Sequence, residues 1–225
     1  MEILVFDDEE AAAEAAADRL ADAARTGLEI ALTGGSTPRH AYELAALREP
    51  DWSGAGAWWG DERCVPPEDE RSNYRLARES LLDRLSRPPR VHRIRGELDP
   101  AEAAEEYERE LGETRLDLVL LGLGPDGHVA SLFPGAPTLA ERERRVVAAE
   151  AGHEPFVPRV TLTLPVLSSG RSVLFLVTGE AKAEAARAAF VEEPSERTPG
   201  SLVRARDGIS VAIVDRAAAS ALSRS

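Results

Sequence analysis

The run Leu116-Asp117-Leu118-Val119-Leu120-Leu121 passes directly into Gly122-Leu123-Gly124-Pro125-Asp126-Gly127-His128-Val129-Ala130-Ser131-Leu132-Phe133-Pro134-Gly135, and no other stretch limits the possible folds as strongly. A continuous Leu/Val run bounded by glycines reads as a strand buried on both faces, and such strands belong to parallel sheets covered by helices. The glycines and proline that follow restrict the backbone to a tight loop. Two titratable side chains, Asp126 and His128, sit two residues apart on it. Chemistry is therefore expected at the carboxyl end of this strand.

Gly122-x-Gly124-x-x-Gly127, with Glu150 further on, also matches a dinucleotide-binding fingerprint. That reading requires the third glycine to open a long crossover helix. Here Pro134 and Gly135 interrupt the chain within about two turns, and Pro125 sits inside the motif. A nicotinamide cofactor is rejected on these grounds.

The remaining chain alternates strand and helix. Glu2 to Asp7 reads as a strand, and Asp7 or Asp8 caps an alanine-rich helix over Glu9 to Arg25 stopped by Gly27. The strand Leu28–Leu32 ends in Thr33-Gly34-Gly35-Ser36-Thr37-Pro38, with Pro38 suited to the first turn of the next helix. Paired glycines at a helix N-terminus turn backbone N–H groups toward an anion, with the Ser36 and Thr37 hydroxyls beside them; an ordinary strand-to-helix turn is the alternative. No lysine follows, so this is not a Walker P-loop. Ala57 to Trp59 is a short strand leading into Gly60-Asp61-Glu62-Arg63, charges that either line a cleft or form a solvated run. Ser72 caps a helix carrying Leu76, Leu81, Leu82 and Leu85; Val91 to Ile94 is a weak strand; Asp99-Pro100-Ala101-Glu102 opens a helix to Leu111. Val146 to Ala149, an alternating Arg159 to Leu164 near the sheet edge, Val173 to Val177 and Ile209 to Val214 complete the strands. Thr178-Gly179-Glu180-Ala181-Lys182 leads into a helix, Glu192 to Arg206 reads as a loop, and a short alanine-rich helix closes the chain.

This pattern predicts one α/β domain over 1–225, with a doubly wound, mostly parallel, Rossmann-like sheet and helices on both faces. In such sheets ligands lie beyond the carboxyl ends of the strands, so the loops at Gly34, Asp61, Asp126 and Gly179 are expected to converge. Arg159 begins its strand and does not fit that rule.

A formal charge of −13 argues against nucleic acid or an anionic membrane as partner. A small phosphorylated ligand remains compatible if a few local cations outweigh the field. Cys64 is the only cysteine, no window is apolar enough for a membrane span, and the first residues lack the pattern of a signal peptide, so a cytoplasmic protein is expected. No His and Cys cluster has metal spacing, and no Gly-x-Ser-x-Gly elbow exists.

Thr33 to Pro38, Asp61-Glu62-Arg63-Cys64-Val65-Pro66, Ser72-Asn73-Tyr74, Gly122 to Gly135, Arg159-Val160-Thr161-Leu162-Thr163 and Gly179-Glu180-Ala181-Lys182 together resemble the 6-phosphogluconolactonase family, in order over most of the chain. The resemblance implies a sheet of the sugar-phosphate isomerase/deaminase type and hydrolysis of 6-phosphoglucono-lactone in the pentose phosphate pathway, with no metal or organic cofactor. It implies phosphate contacts at Gly35, Ser36, Arg159 and Lys182, and a catalytic histidine at His128. Glu154 to Pro158 lacks the paired prolines common there, and Thr198 to Arg206 matches poorly. Related glucosamine-6-phosphate deaminases use an acidic residue five positions after the histidine, where this chain has Phe133. A deaminase-like isomerase and a non-catalytic sugar-phosphate binder are the alternatives.

Opening a lactone needs water deprotonated and an oxyanion stabilised. His128 is the expected general base, oriented by Asp126 or Asp61; His40, His92 and His153 carry no motif and read as surface or core residues. Gly34, Gly35, Ser36, Thr37, Arg63, Arg159 and Lys182 are the expected substrate and phosphate contacts. Lys182 is the only lysine in a chain rich in arginine, which suggests a site that wants a compact ammonium, with chance as the alternative. A monomer or weak homo-oligomer is expected.

Overall fold

The computed structural model describes residues 1–152 and 154–222; His153 lies outside the described residues. The elements run β1 (Glu2–Phe6), α1 (Glu9–Arg25), β2 (Glu29–Leu32), α2 (Ser36–Arg48), β3 (Gly56–Trp59), β4 (Asp61–Arg63), α3 (Asn73–Ser80), β5 (Arg90–Val91), α4 (Pro100–Leu111), β6 (Leu118–Leu121), β7 (Val146–Ala149), β8 (Arg159–Leu162), α5 (Leu164–Ser169), β9 (Ser172–Val177), α6 (Ala183–Phe190) and β10 (Ile209–Asp215). Seven strands form one parallel sheet in the order β1-β10-β9-β6-β2-β3-β5. The doubly wound, Rossmann-like architecture predicted from the alternation is the one observed.

The helix starts follow local chemistry. Asp8 accepts the Ala11 N–H at 2.9 Å to cap α1, and Asp99 accepts the N–H groups of Ala101 and Glu102 to cap α4 behind Pro100. The alanines of α1 at positions 12, 13, 16, 17, 21, 23 and 24 are buried, and their small side chains allow close packing against α2 and the sheet. The core contains β6 whole, from Leu118 to Leu121.

Strand order explains where a ligand must go. From β2 the chain winds outward through β3 to β5, then returns to place β6 on the other side of β2 and winds outward through β9 and β10. The winding direction reverses between β2 and β6. These two strands pair only at Ile30 with Leu118 and Ala31 with Val119, whereas β6 pairs with β9 over all four of its residues. The sheet opens beyond Ala31 and Val119, and the crevice lies at the carboxyl ends of both strands.

Two buried tyrosines finish β2, which borders this crevice, and its neighbour β3. The Tyr42 hydroxyl accepts the Thr33 N–H at 2.9 Å and donates to the Thr33 carbonyl at 2.7 Å. Tyr107 does the same for Trp59, at 2.8 and 3.1 Å. Each hydroxyl replaces a neighbouring strand for one residue, so the chain can leave the sheet without orphaning buried backbone groups. Tyr42→Phe leaves both groups of Thr33 without that partner and is expected to destabilise the fold by about 1–3 kcal/mol. A lower urea midpoint with an unchanged slope is the expected reading.

The structure corrects the sequence expectations at several points. Arg159 to Leu164 was expected at the edge of the main sheet; β8 instead forms the centre of a second, antiparallel sheet in the order β4-β8-β7. Asp61–Arg63, read as a loop, is strand β4 of that sheet. Two proline-marked starts were missed, α5 at Leu164-Pro165 and a 3₁₀ turn over Pro199–Leu202. The helix after Ser72 ends at Ser80, and Leu82–Arg84 continue as a 3₁₀ turn that still buries Leu81 and Leu82.

Candidate active site

The crevice between β2 and β6 deepens into a cavity of about 300 Å³. Thr33 to Pro38, Asp61, Arg63, the Gly122 to Pro125 turn, His128, Thr178, Arg159 and Lys182 line it. The small sheet explains how Arg159 arrives there. Its position at the start of β8 would lie at the wrong end of a parallel sheet, but β8 runs antiparallel to β4 and pairs Arg159 with Arg63.

On the β2 side Gly35 has φ 115, a conformation open to glycine, and α2 starts immediately after it with no side-chain cap and no acidic residue in its first turn. The free N–H groups of that turn and the helix dipole favour an anion. Gly34 is needed for another reason, since a Cβ there would lie 2.0 Å from Asn73 Oδ1. The Thr37 hydroxyl is not free for a ligand in this arrangement: it donates to Glu9 Oε1 at 3.0 Å and lies 2.7 Å from Thr178 Oγ1, tying the α2 start to the β9 end. Lys182 projects from the 3₁₀ turn after Gly179, half-buried. Burial pushes its ammonium below the ordinary lysine range, and the charge of Asp126 pushes back.

On the β6 side the turn Gly124-Pro125-Asp126-Gly127 is closed by the Gly127 N–H on the Gly124 carbonyl at 3.0 Å, with Gly127 at φ 83. Asp126 Oδ1 accepts the His128 backbone N–H at 3.1 Å and lies 2.5 Å from His128 Nδ1. One carboxylate thus holds both the main chain and the ring of the same histidine. Burial raises the Asp126 pKa, but the charge of His128 and its two hydrogen bonds outweigh this and hold the carboxyl below its usual range. Phe133 packs against the imidazole with ring centroids 4.8 Å apart. A Cβ on Gly124 would lie 2.0 Å from His128 Nδ1 and 2.6 Å from Asp126 Oδ1, so only glycine lets this pair close. Gly124→Ala is expected to lower kcat on the order of tenfold while the protein stays folded, because the imidazole must rotate away from Asp126. Steady-state kinetics beside a thermal melt checks this.

Asp61, the other candidate to orient the histidine, is engaged differently. Its carboxylate accepts from Ser131 Oγ at 2.6 Å and from Asn73 Nδ2 at 3.1 Å, while Asn73 Nδ2 also donates to the Asp61 carbonyl at 2.9 Å. Of the two carboxylates, Asp126 is the one hydrogen-bonded to the His128 ring. Glu62 faces the other way, buried, and accepts the N–H groups of Asn73 and Tyr74, both at 2.7 Å, to anchor the first turn of α3. Burial raises it to about 7 against those bonds. Ser131 carries a signal only in its place within the Gly122–Gly135 block, and Asn73 only within Ser-Asn-Tyr; their contacts to Asp61 span 70 and 12 residues of chain.

Arg159 donates to the carbonyls of Val157 at 3.1 Å and Pro155 at 2.8 Å. Burial and the facing Arg63 lower its pKa, with Asp61 and Glu62 opposing. The segment read as a loop over 192–206 backs the histidine turn: the Gly200 N–H donates to the Gly127 carbonyl at 2.9 Å, and a Cβ on Gly127 would meet Thr198 at 2.7 Å. The other described histidines lie outside the cavity. His40 pairs with Glu10, and His92 stacks on Trp58 with centroids 3.9 Å apart. Among the described residues no group of three or more His, Cys, Asp or Glu could hold a metal ion, and no helix is long and apolar enough to cross a membrane.

Comparison with known proteins gives concordant results. A model of the family described as glucosamine-6-phosphate isomerases/6-phosphogluconolactonase matches residues 7–212. The chain is 36% identical to the 6-phosphogluconolactonase of Streptomyces coelicolor over 252 aligned positions, covering 100% of this chain and 95% of that one. It is 39% identical to the human 6-phosphogluconolactonase, over 87% of this chain and 81% of that protein. Among solved structures, the 6-phosphogluconolactonase of Trypanosoma cruzi superposes with a TM-score of 0.89 at 27% identity, over 99% of this chain and 97% of that one.

Proposed function

The chain belongs to the glucosamine-6-phosphate isomerase/6-phosphogluconolactonase family, and on that premise we propose that it hydrolyses 6-phospho-D-glucono-1,5-lactone to 6-phospho-D-gluconate, a step of the pentose phosphate pathway. The observation that carries this reading is the His128 imidazole held by Asp126 in the same cavity as the open start of α2 and Lys182. One end of the cavity suits a phosphate and another a proton transfer.

With Nδ1 turned to Asp126, Nε2 of His128 takes a proton from water, and the hydroxide oxygen bonds to the lactone carbonyl carbon. The ionised Asp126 stabilises the imidazolium that forms. The carbonyl oxygen gains the electron pair, and positive potential from Arg63 and Arg159 favours that charge. Collapse breaks the bond from carbonyl carbon to ring oxygen, and the imidazolium returns its proton to the leaving alkoxide. Gly34, Gly35, Ser36, Thr37, Arg159 and Lys182 surround the phosphate in this reading. Thr37 contributes its backbone N–H, its hydroxyl being held by Glu9 and Thr178. Asp61, tied to Ser131 and Asn73, acts as a positioning residue, its hydrogen bond to Ser131 holding the loop three residues after His128.

Phe133 favours the lactonase over the deaminase reading, because a phenyl ring packed on His128 cannot exchange a proton. The protein acts as a single domain over 1–225, monomeric or weakly self-associating, in the cytoplasm, on a phosphorylated sugar lactone and not on nucleic acid or membrane. Turnover of freshly generated 6-phosphogluconolactone, followed as acid release, with glucosamine 6-phosphate tested beside it, decides the function. Ammonia release from the amino sugar without lactone hydrolysis would overturn it.

A further inference from the structure

We infer that Asp215, at the end of β10 and outside the cavity lining, is a positioning residue that sets where Lys182 stands. Gly179 has φ 89, and its peptide is held at both ends: its N–H lies 3.1 Å from each carboxylate oxygen of Asp215, and its carbonyl accepts the Lys182 N–H at 3.0 Å. The three residues from Glu180 to Lys182 form a single 3₁₀ turn with no side-chain cap, so the direction of that turn is set by the Gly179 peptide.

Asp215 is itself 5% exposed and fixed. Its backbone is the last residue of β10, in register with Phe6 of β1, and Oδ1 also accepts the Ala218 N–H at 2.7 Å. Because β9 and β10 are parallel neighbours, their carboxyl ends emerge side by side, and the carboxylate at the end of β10 reaches the amide of Gly179, the second residue past the end of β9. The sheet thereby transmits its rigidity through one side chain to the only lysine in the chain. Lys182 makes no salt bridge among the described residues, so its position follows from the turn that carries it, its half-burial and the charge of Asp126.

A buried aspartate that caps the Ala218 turn would be retained for stability alone, and the two roles separate experimentally. Asp215→Ala removes both links, whereas Asp215→Asn keeps an acceptor oxygen for the Gly179 and Ala218 N–H groups. Gly179→Ala leaves the Ala218 cap intact; a Cβ there meets nothing within 4 Å, but φ 89 is strained for alanine. The inference rests on the lactonase reading for its substrate, so each variant is measured in two ways. These are steady-state kinetics on 6-phosphogluconolactone and calorimetric binding of inorganic phosphate. Asp215→Ala and Gly179→Ala are both expected to raise KM, and to weaken phosphate, on the order of tenfold with kcat changed less than about threefold, and Asp215→Asn to recover most of the loss. Unchanged KM and phosphate affinity in a folded Gly179→Ala, or a loss in Asp215→Ala that tracks its melting temperature and spares phosphate binding, would overturn the assignment. Weaker phosphate binding in both variants of a protein that turns over some other sugar phosphate would uphold it while removing the lactone.

Discussion

His128→Gln is expected to reduce kcat by roughly 10²–10⁴-fold, the range lost when a positioned general base is removed, while the affinity for 6-phosphogluconate changes little. The reason is the division of labour in the cavity. The imidazole is oriented by Asp126 and packed on Phe133, and the groups suited to holding phosphate come from other elements. Glutamine fills similar space and can still hydrogen-bond Asp126, so the variant removes proton transfer with little loss of packing. The acid limb of the rate profile should vanish with it, because a base that must be unprotonated no longer exists. Asp126→Asn is the informative companion. It keeps a hydrogen-bonding group beside Nδ1 but removes the negative charge that stabilises the imidazolium, so its kcat should fall by less than that of His128→Gln. Turnover of His128→Gln near the wild-type rate at neutral pH would remove His128 from the role of base.

How far the sequence disclosed this site depends on the range over which each contact acts. The Gly-Gly turn, the Asp126–His128 pair and the α2 start are local: the residues that make them lie within about six positions of one another, and glycine, proline and periodicity report such geometry directly. The doubly wound sheet was legible for the same reason, since β6 and β9 are apolar runs with turn signals on both sides. What the sequence did not disclose is set by pairing at a distance. Arg159 begins its strand and reaches the site because β8 pairs against β4, a register that no property of Arg159 to Leu162 encodes. Asp61 and Glu62, adjacent in sequence, face opposite ways because β4 is a strand, and one turns to Ser131 while the other anchors α3. Tyr42 and Tyr107 gave no sign that their hydroxyls would complete the ends of β2 and β3. The segment from Thr198 to Arg206, poorly matched to the family pattern, packs behind Gly127 through backbone and methyl contacts that many sequences can supply.

Lys182→Met is expected to raise KM for the phosphorylated lactone by roughly ten- to more than a hundredfold, corresponding to about 1.5–3 kcal/mol for a lost charge-assisted contact. The effect on kcat should be much smaller, because the proton transfer at His128 does not pass through the ammonium. Methionine keeps most of the aliphatic stem, so the half-buried packing survives and the charge alone is tested. Burial disfavours the Lys182 ammonium, and the Asp126 charge opposes that tendency. A phosphate dianion brought to the α2 start favours the charged form of Lys182. Lys182→Arg should also raise KM, though less. The guanidinium preserves the charge but is longer and planar, and it must be accommodated beside Thr178 and the start of α2, where a compact point charge fits. Raising the salt concentration should narrow the gap between wild type and Lys182→Met, since screening weakens the contact that only the wild type makes. An unchanged KM in a folded Lys182→Met would place this lysine outside the phosphate site, and with it the account of why a chain so rich in arginine keeps one lysine here.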